Sequence, residues 1–220
     1  MGITPFLSIV THCCNRSTFL RENIKSVKAQ TSREWEQIYI VDRHQAGIKQ
    51  ANISFYRNRS RVRGEYVYIL DDDCELINPQ FIEHLHESVS PQDDIIMVRS
   101  IRPRGHPSSE RLFPDYHVWG KTPKFETTNS LCYVIRADLW RAQIKAYGRG
   151  SGGDWWFLKG CMDTGAQLSW LNLLGGEAKQ LGRGAADSFE PRRAGWFEHV
   201  AKIEKLENID QDNWRLKGRP

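Results

Sequence analysis

The sequence has no CxxC pair and no histidine at zinc-finger spacing, and its cysteines, Cys13, Cys14, Cys74, Cys132 and Cys161, are odd in number. A zinc-stapled or disulfide-framed scaffold is thereby excluded as the organising principle. No apolar run approaches the ~20 residues that a spanning helix needs. No basic stretch precedes the short apolar run at the start, so no secretory leader is expected and the chain reads as cytoplasmic. Neither GxGxxG nor GxxxxGK[ST] occurs, so a Rossmann dehydrogenase or a P-loop enzyme would lack its phosphate cradle. Charge of one sign is not in excess either. Lys plus Arg number 31 against 27 for Asp plus Glu, a formal +4 that permits an acidic partner without requiring one.

What is present is a globular composition, 40% hydrophobic and 26% charged over 220 residues, enough for one domain with a substantial core. The first half alternates strand-like and helix-like segments, the pattern of an α/β domain with a mainly parallel sheet. FLSIV (residues 6 to 10) reads as a buried first strand ending near Thr11 to Cys14. Leu20, Ile24 and Val27 give the next segment helical spacing up to Gln30. WEQIYIVD is a second strand that stops at Asp42, and residues 47 to 64 favour a helix. EYVYILDDDCE follows, a β-rich run from Tyr66 to Leu70 that ends in Asp71, Asp72 and Asp73. A helix from Pro79 to Ser88 and a strand over 94 to 100 come next. Prolines and glycines make residues 102 to 124 a long functional loop. A strand over 129 to 135, a helix from Ala137 to Tyr147, and a helix with Asp154 at its N-cap after the glycines of 148 to 153 complete the regular part. The segment from Ala194 to Leu206 is amphipathic, and WRLKGRP reads as a basic frayed end.

Tandem carboxylates at a strand end repel by about 1 kcal/mol at 4 Å in water, and by more in a cleft, so they call for a cation. If the strand direction persists for two residues, Asp71 and Asp73 share a face, one for a metal and the other for a ligand hydroxyl or water. The alternative is a solvated turn that merely ends a strand. Open α/β sheets bind ligands beyond the carboxyl ends of their strands, and three such ends converge here: Thr11 to Cys14, Asp42, and Asp71 to Asp73. Without a glycine-rich phosphate loop, a diphosphate would have to be held through a metal ion.

In its order of motifs, PFLSIVTHCCNR, VKAQT, EQIYIVD, VRGEYVYILDDDCEL and NPQF, the chain resembles glycosyltransferase family 2, the inverting GT-A enzymes. The resemblance covers roughly residues 5 to 90. It implies a GT-A fold over 1–220, with a nucleotide-sugar half (1–100), an acceptor and catalytic half (101–175) and a C-terminal extension (176–220). By the same resemblance Thr11, His12, Cys14, Arg16, Asp42, Asn52, Asp71 and Asp72 would contact the nucleotide sugar, while Asp73 and Asp71 would hold Mn²⁺ or Mg²⁺. Asn58 is a rival to Asn52. GGDWWFL matches the family's catalytic segment, which implies Asp154 as general base. Gly153 stands where the family often has Glu. Trp155 and Trp156 would line the acceptor site, one of them in the core. The metal's third ligand could be His199 or Asp187, or be supplied by diphosphate and water.

The implied activity is metal-dependent inverting transfer from a nucleotide-diphosphate sugar, a UDP-sugar favoured, to a glycan, lipid-linked or other hydroxyl acceptor. Arg57, Arg59, Arg61, Arg63, Arg99, Arg102 and Arg104 could meet the diphosphate or an anionic acceptor, or be solvated. They motivate a rival, transfer to modified DNA bases, although nucleic acid is not the favoured partner. A nucleotidyltransferase and a non-catalytic nucleotide- or glycan-binding module are further rivals.

Overall fold

The structure is a computed structural model that describes residues 4–14, 17–41, 48–102, 111–149, 152–179 and 215–217. Its strands are β1 Leu7–Cys13, β2 Trp35–Val41, β3 Tyr66–Ile69, β4 Cys74–Leu76, β5 Ile95–Ile101, β6 Leu112–Phe113, β7 Tyr133–Arg136, β8 Leu168–Ala178 and β9 Arg215–Lys217. The helices are α1 Ser17–Lys28, α2 Ile48–Arg57, α3 Phe81–Ser88, α4 Ala137–Gln143 and α5 Gly153–Met162. Among the described residues the strands form one sheet in the order β4-β8-β5-β7-β3-β1-β2-β9, with β6 beside β5.

The sheet is mixed around a parallel core. β1 lies parallel to both β2 and β3, whereas β7 runs antiparallel between β3 and β5. β1 is buried along its whole length, as a strand must be when helices cover both faces of the sheet. Alternation divides its neighbour: Tyr66 and Tyr68 of β3 enter the core on one face with Leu20, Ile24 and Val27 of α1 and Phe81, Ile82 and Leu85 of α3. Val67 and Ile69 enter the other with Phe55 of α2, Trp140 of α4, and Phe157 and Leu158 of α5. Each such side chain, fully buried, contributes about 1.5–3 kcal/mol, which makes β3 a strand that cannot slip by one residue.

Several expectations change. β8, an eleven-residue strand, has no counterpart in the sequence reading. Its Gly175 and Gly176 look like turn signals, but a Cβ there would come within 2.9 Å of the Phe81 ring and 3.1 Å of the Tyr68 hydroxyl respectively, so the glycines are packing contacts. The loop expected over 102 to 124 holds β6 and a 3-10 turn at Tyr116–Val118. The basic end is not wholly frayed, since Arg215–Lys217 pairs antiparallel with β2 and covers an open sheet edge. The segment from 194 to 206 lies outside the described residues.

Candidate active site

β1 and β3 deliver their ends side by side. Pairing with β1 runs past the end of β3, with Leu70 N–H donating to Val10 O (3.0 Å) and Asp72 N–H to His12 O (3.2 Å). Asp72 then closes a clasp: its Oδ2 accepts the Cys14 N–H at 2.7 Å, and the side chain is fully buried. The middle carboxylate, expected to contact the nucleotide sugar, thus ties the two strand ends together. The chain turns at once, Cys74 N–H donating to Asp71 O at 2.9 Å, so strand direction does not persist through the aspartates. This turn, and not β alternation, leaves Asp71 and Asp73 half-buried on either side of the clasp.

Behind the turn lies a polar cluster that sequence reasoning missed. Asn23 of α1 donates through Nδ2 to Cys74 O (2.8 Å) and Asp71 O (3.0 Å), with Leu70 O at 3.4 Å. Its Oδ1 accepts from Gln37 Nε2 at 2.7 Å, and Gln37 Nε2 also donates to Thr11 Oγ1 at 2.8 Å. Thr11 is therefore a buried member of this cluster, its hydroxyl held by Gln37 of β2. The signal was present in the sequence, because Asn23 interrupts the apolar face of α1 and Gln37 interrupts the apolar run of β2.

His12 and Cys14 stand at the open end of β1. The Cys14 Sγ lies 3.2 Å from His12 Nδ1, and the buried imidazole packs 5.6 Å from the Phe55 ring. Asn15, Arg16, Asp42, Arg104, Asp187 and His199 lie outside the described residues.

The second wall is the start of α5. Gly152 at its N-cap has φ 71°, a left-handed conformation that favours glycine. Asp154 lies inside the first turn and not at the N-cap, where its Oδ1 accepts the Trp155 N–H at 2.9 Å. Burial lifts the Asp154 carboxyl above the ordinary aspartate range, against the lowering effect of the Trp155 N–H and its own. Gly153 explains the missing second carboxylate: a Cβ there would lie 2.3 Å from Tyr147 O and 2.8 Å from Asn52 Nδ2. Asn52 is buried against this glycine, whereas Asn58 closes α2 by donating to Ser54 O and accepting from Arg61.

Tyr147 packs its ring against Phe55 of α2 and Phe157 of α5. Its phenol is raised well above the ordinary value, first by burial, then by the negative charge of Asp154 and then of Asp71, while a hydrogen bond with Ser130 acts the other way. Both carboxylates thus lie within electrostatic reach of this buried phenol.

The aromatics divide differently from expectation. Neither Trp155 nor Trp156 is a core residue; both are half-buried, and Phe157 and Leu158 fill the core instead. Phe125, 52% exposed, meets Trp155 edge-on with centroids 6.3 Å apart. Three of the arginines serve the fold. Arg99, 7% exposed, donates to Pro114 O at 2.6 Å and lies 3.7 Å over Trp119. Arg102 pairs with Asp115 at 2.6 Å, and Arg63 with the buried Glu36 at 2.9 Å. These contacts tether the 111–120 segment and the approach to β3.

Residues 8–140 match the family described as Glycosyl transferase family 2. The chain belongs to this family. The matched segment includes the aspartate turn and stops before Asp154. None of the curated proteins matches the chain in sequence. Among solved structures, S. aureus TarS 1-349 in complex with UDP-GlcNAc is similar, with TM-score 0.59 and 13% identity over 90% of this chain and 65% of that one. A mannosyltransferase from Pyrobaculum calidifontis, PcManGT, in complex with GDP-Man and Mn²⁺, gives TM-score 0.58 and 14% identity over 92% of this chain and 65% of that one. TarS 1-349 in complex with UDP gives TM-score 0.57 and 13% identity, covering 79% of this chain and 60% of that one. The chain thus spans about three fifths of the length of these neighbours, and at such identities the likeness establishes the GT-A α/β fold of this family 2 member.

Proposed function

We propose that this chain transfers a glycosyl group from a nucleoside-diphosphate sugar, a UDP-sugar favoured, to an acceptor hydroxyl by a single inverting displacement. The observation that supports this reading is the family match over residues 8–140, which takes in the aspartate turn, with Asp154 half-buried in the first turn of α5 beyond it. Asp154 takes the proton of the acceptor hydroxyl as its oxygen bonds to the anomeric carbon. The bond from that carbon to the diphosphate oxygen breaks, and its electron pair leaves with the diphosphate. The turn at His12 to Cys14 holds the nucleoside, with its backbone fixed by Asp72.

The residues present fit a hard divalent cation. The half-buried Asp71 and Asp73 carboxylates supply hard oxygen donors, with Cys74 Sγ 3.6 Å from Asp73 Oδ1. No group of three or more His, Cys, Asp or Glu able to hold a metal occurs among the described residues, so water and diphosphate oxygens would complete the shell. Mn²⁺ or Mg²⁺ bound there would neutralise charge developing on the leaving diphosphate. Of the neighbours, TarS binds UDP-GlcNAc and PcManGT binds GDP-Man with Mn²⁺.

The test is a thermal-shift series with UDP-, GDP- and dTDP-sugars, with and without Mn²⁺, followed by NMR of the product's anomeric configuration. A donor at 100 times its Kd should add about 2.7 kcal/mol of stability. Asp73→Asn should abolish the Mn²⁺-dependent part of that shift while the folded baseline stays. A retained configuration, or no shift with any donor, overturns the reading. Phe125→Ala should raise the acceptor KM by roughly 3- to 10-fold, the size of an aromatic contact of ~0.5–1.5 kcal/mol, with donor hydrolysis unchanged.

A further inference from the structure

The polar cluster under the aspartate turn is costlier than helix packing requires. Asn23 and Gln37 are both fully buried, and a buried amide costs about 1–3 kcal/mol for each donor or acceptor left unsatisfied. A leucine at 23 would continue the apolar face made by Leu20, Ile24 and Val27 at no such risk. The amide is instead committed to carbonyls. Its Nδ2 carries only two hydrogens, and its nearest acceptors are Cys74 O and Asp71 O, which bracket the turn. Its Oδ1 is locked by Gln37, whose own Oε1 accepts from the Tyr39 hydroxyl at 2.8 Å, so the rotamer of Asn23 is fixed from β2. The same helix braces the next strand, because Ser26 Oγ accepts the Leu76 N–H at 3.0 Å.

We propose that Asn23 is a positioning residue: by holding the carbonyls of Asp71 and Cys74 it sets the direction in which the Asp71 and Asp73 carboxylates face the cation of the donor diphosphate. The proposal rests on the reading that these two carboxylates hold that cation. Gln37 acts one step further back, by orienting Asn23. Outer-shell partners of this kind are worth about 10- to 100-fold in metal affinity.

The experiment is Mn²⁺ titration in the presence of UDP, with free Mn²⁺ read by electron paramagnetic resonance, alongside thermal unfolding. Asn23→Leu keeps the branched shape at a somewhat larger volume and removes both donor hydrogens; it should weaken Mn²⁺ binding by about tenfold or more. Gln37→Met, a gentler change, should weaken it by less and serves if Asn23→Leu does not fold. Gln30→Ala is the control, since Gln30 is an equally buried amide that serves Asn78 O and the Ile82 N–H, away from the aspartates. It should lower the unfolding midpoint and leave Mn²⁺ affinity unchanged. The inference is overturned if folded Asn23→Leu, or Gln37→Met in its place, binds Mn²⁺ like the parent. It also fails if Gln30→Ala weakens binding as much for the same loss of stability. If the parent chain binds no Mn²⁺ with UDP, the cation reading fails and carries this inference down with it; parent binding with an unaffected Asn23→Leu defeats this inference alone.

Discussion

Asp154→Asn is expected to lower glycosyl transfer by about 10²- to 10⁴-fold, the usual worth of a general base, while leaving donor-induced thermal stabilisation in place. The amide keeps the shape of the carboxylate and can still accept the Trp155 N–H, but it cannot take a proton from the acceptor. Because burial raises the Asp154 pKa, the parent enzyme should lose kcat as pH falls through a value above the ordinary aspartate range, and the variant should lack that limb. The same shift has a stability consequence of fixed sign. A folded-state pKa above the unfolded one means that the native chain binds the proton more tightly in the interval between them, so unfolding free energy falls as pH rises through that interval. Asp154→Asn should remove this slope. Wild-type transfer rates in the folded variant would exclude Asp154 as the base.

Gly153→Ala is expected to cost about 1–3 kcal/mol of stability and about 10²-fold in transfer rate, although the methyl group carries no charge and takes no part in the chemistry. The new Cβ would lie 2.3 Å from Tyr147 O and 2.8 Å from Asn52 Nδ2, and the nearer of these is backbone, which cannot swing aside. α5 would have to retreat, and Asp154, the next residue, would move with it. A displaced base loses rate steeply with distance. Gly160→Ala in the same helix is the internal comparison: its Cβ would meet the flexible Gln143 Oε1 at 3.3 Å and the Ala146 Cβ at an ordinary 3.9 Å. That variant should keep activity and gain up to about 1 kcal/mol, as alanine for glycine does in a helix interior. Equal rates for parent and Gly153→Ala would show that the site tolerates movement of α5.

The strands around the aspartate turn were legible because each is a short β-prone run ending in polar residues, and the hydrophobic period on α1 left little choice of face. Asp154 was legible through GGDWWFL, but its position within the helix was not. An aspartate before aromatics looks like a cap, and only the left-handed Gly152 shows that the helix starts earlier. β8 had no counterpart in the sequence reading; its run is interrupted by Gly175 and Gly176, where Phe81 and Tyr68 fill the space that side chains would need. Arg99 and Arg102 read as solvent or anion groups because their carbonyl, carboxylate and aromatic partners are distant in sequence.

The aspartate run shows the division most clearly. By itself the sequence determined that three carboxylates follow a buried strand in an α/β chain of this family, since β propensity and alternation are local properties. Only the tertiary structure decided which of the three is structural. Asp72 turns inward because β1 ends beside β3 and presents the Cys14 N–H, while Asn23 reaches in from α1 to hold the carbonyls on either side. Those partners lie about fifty residues away along the chain, and a hydrogen bond across that separation exists only once the sheet has brought its strand ends together.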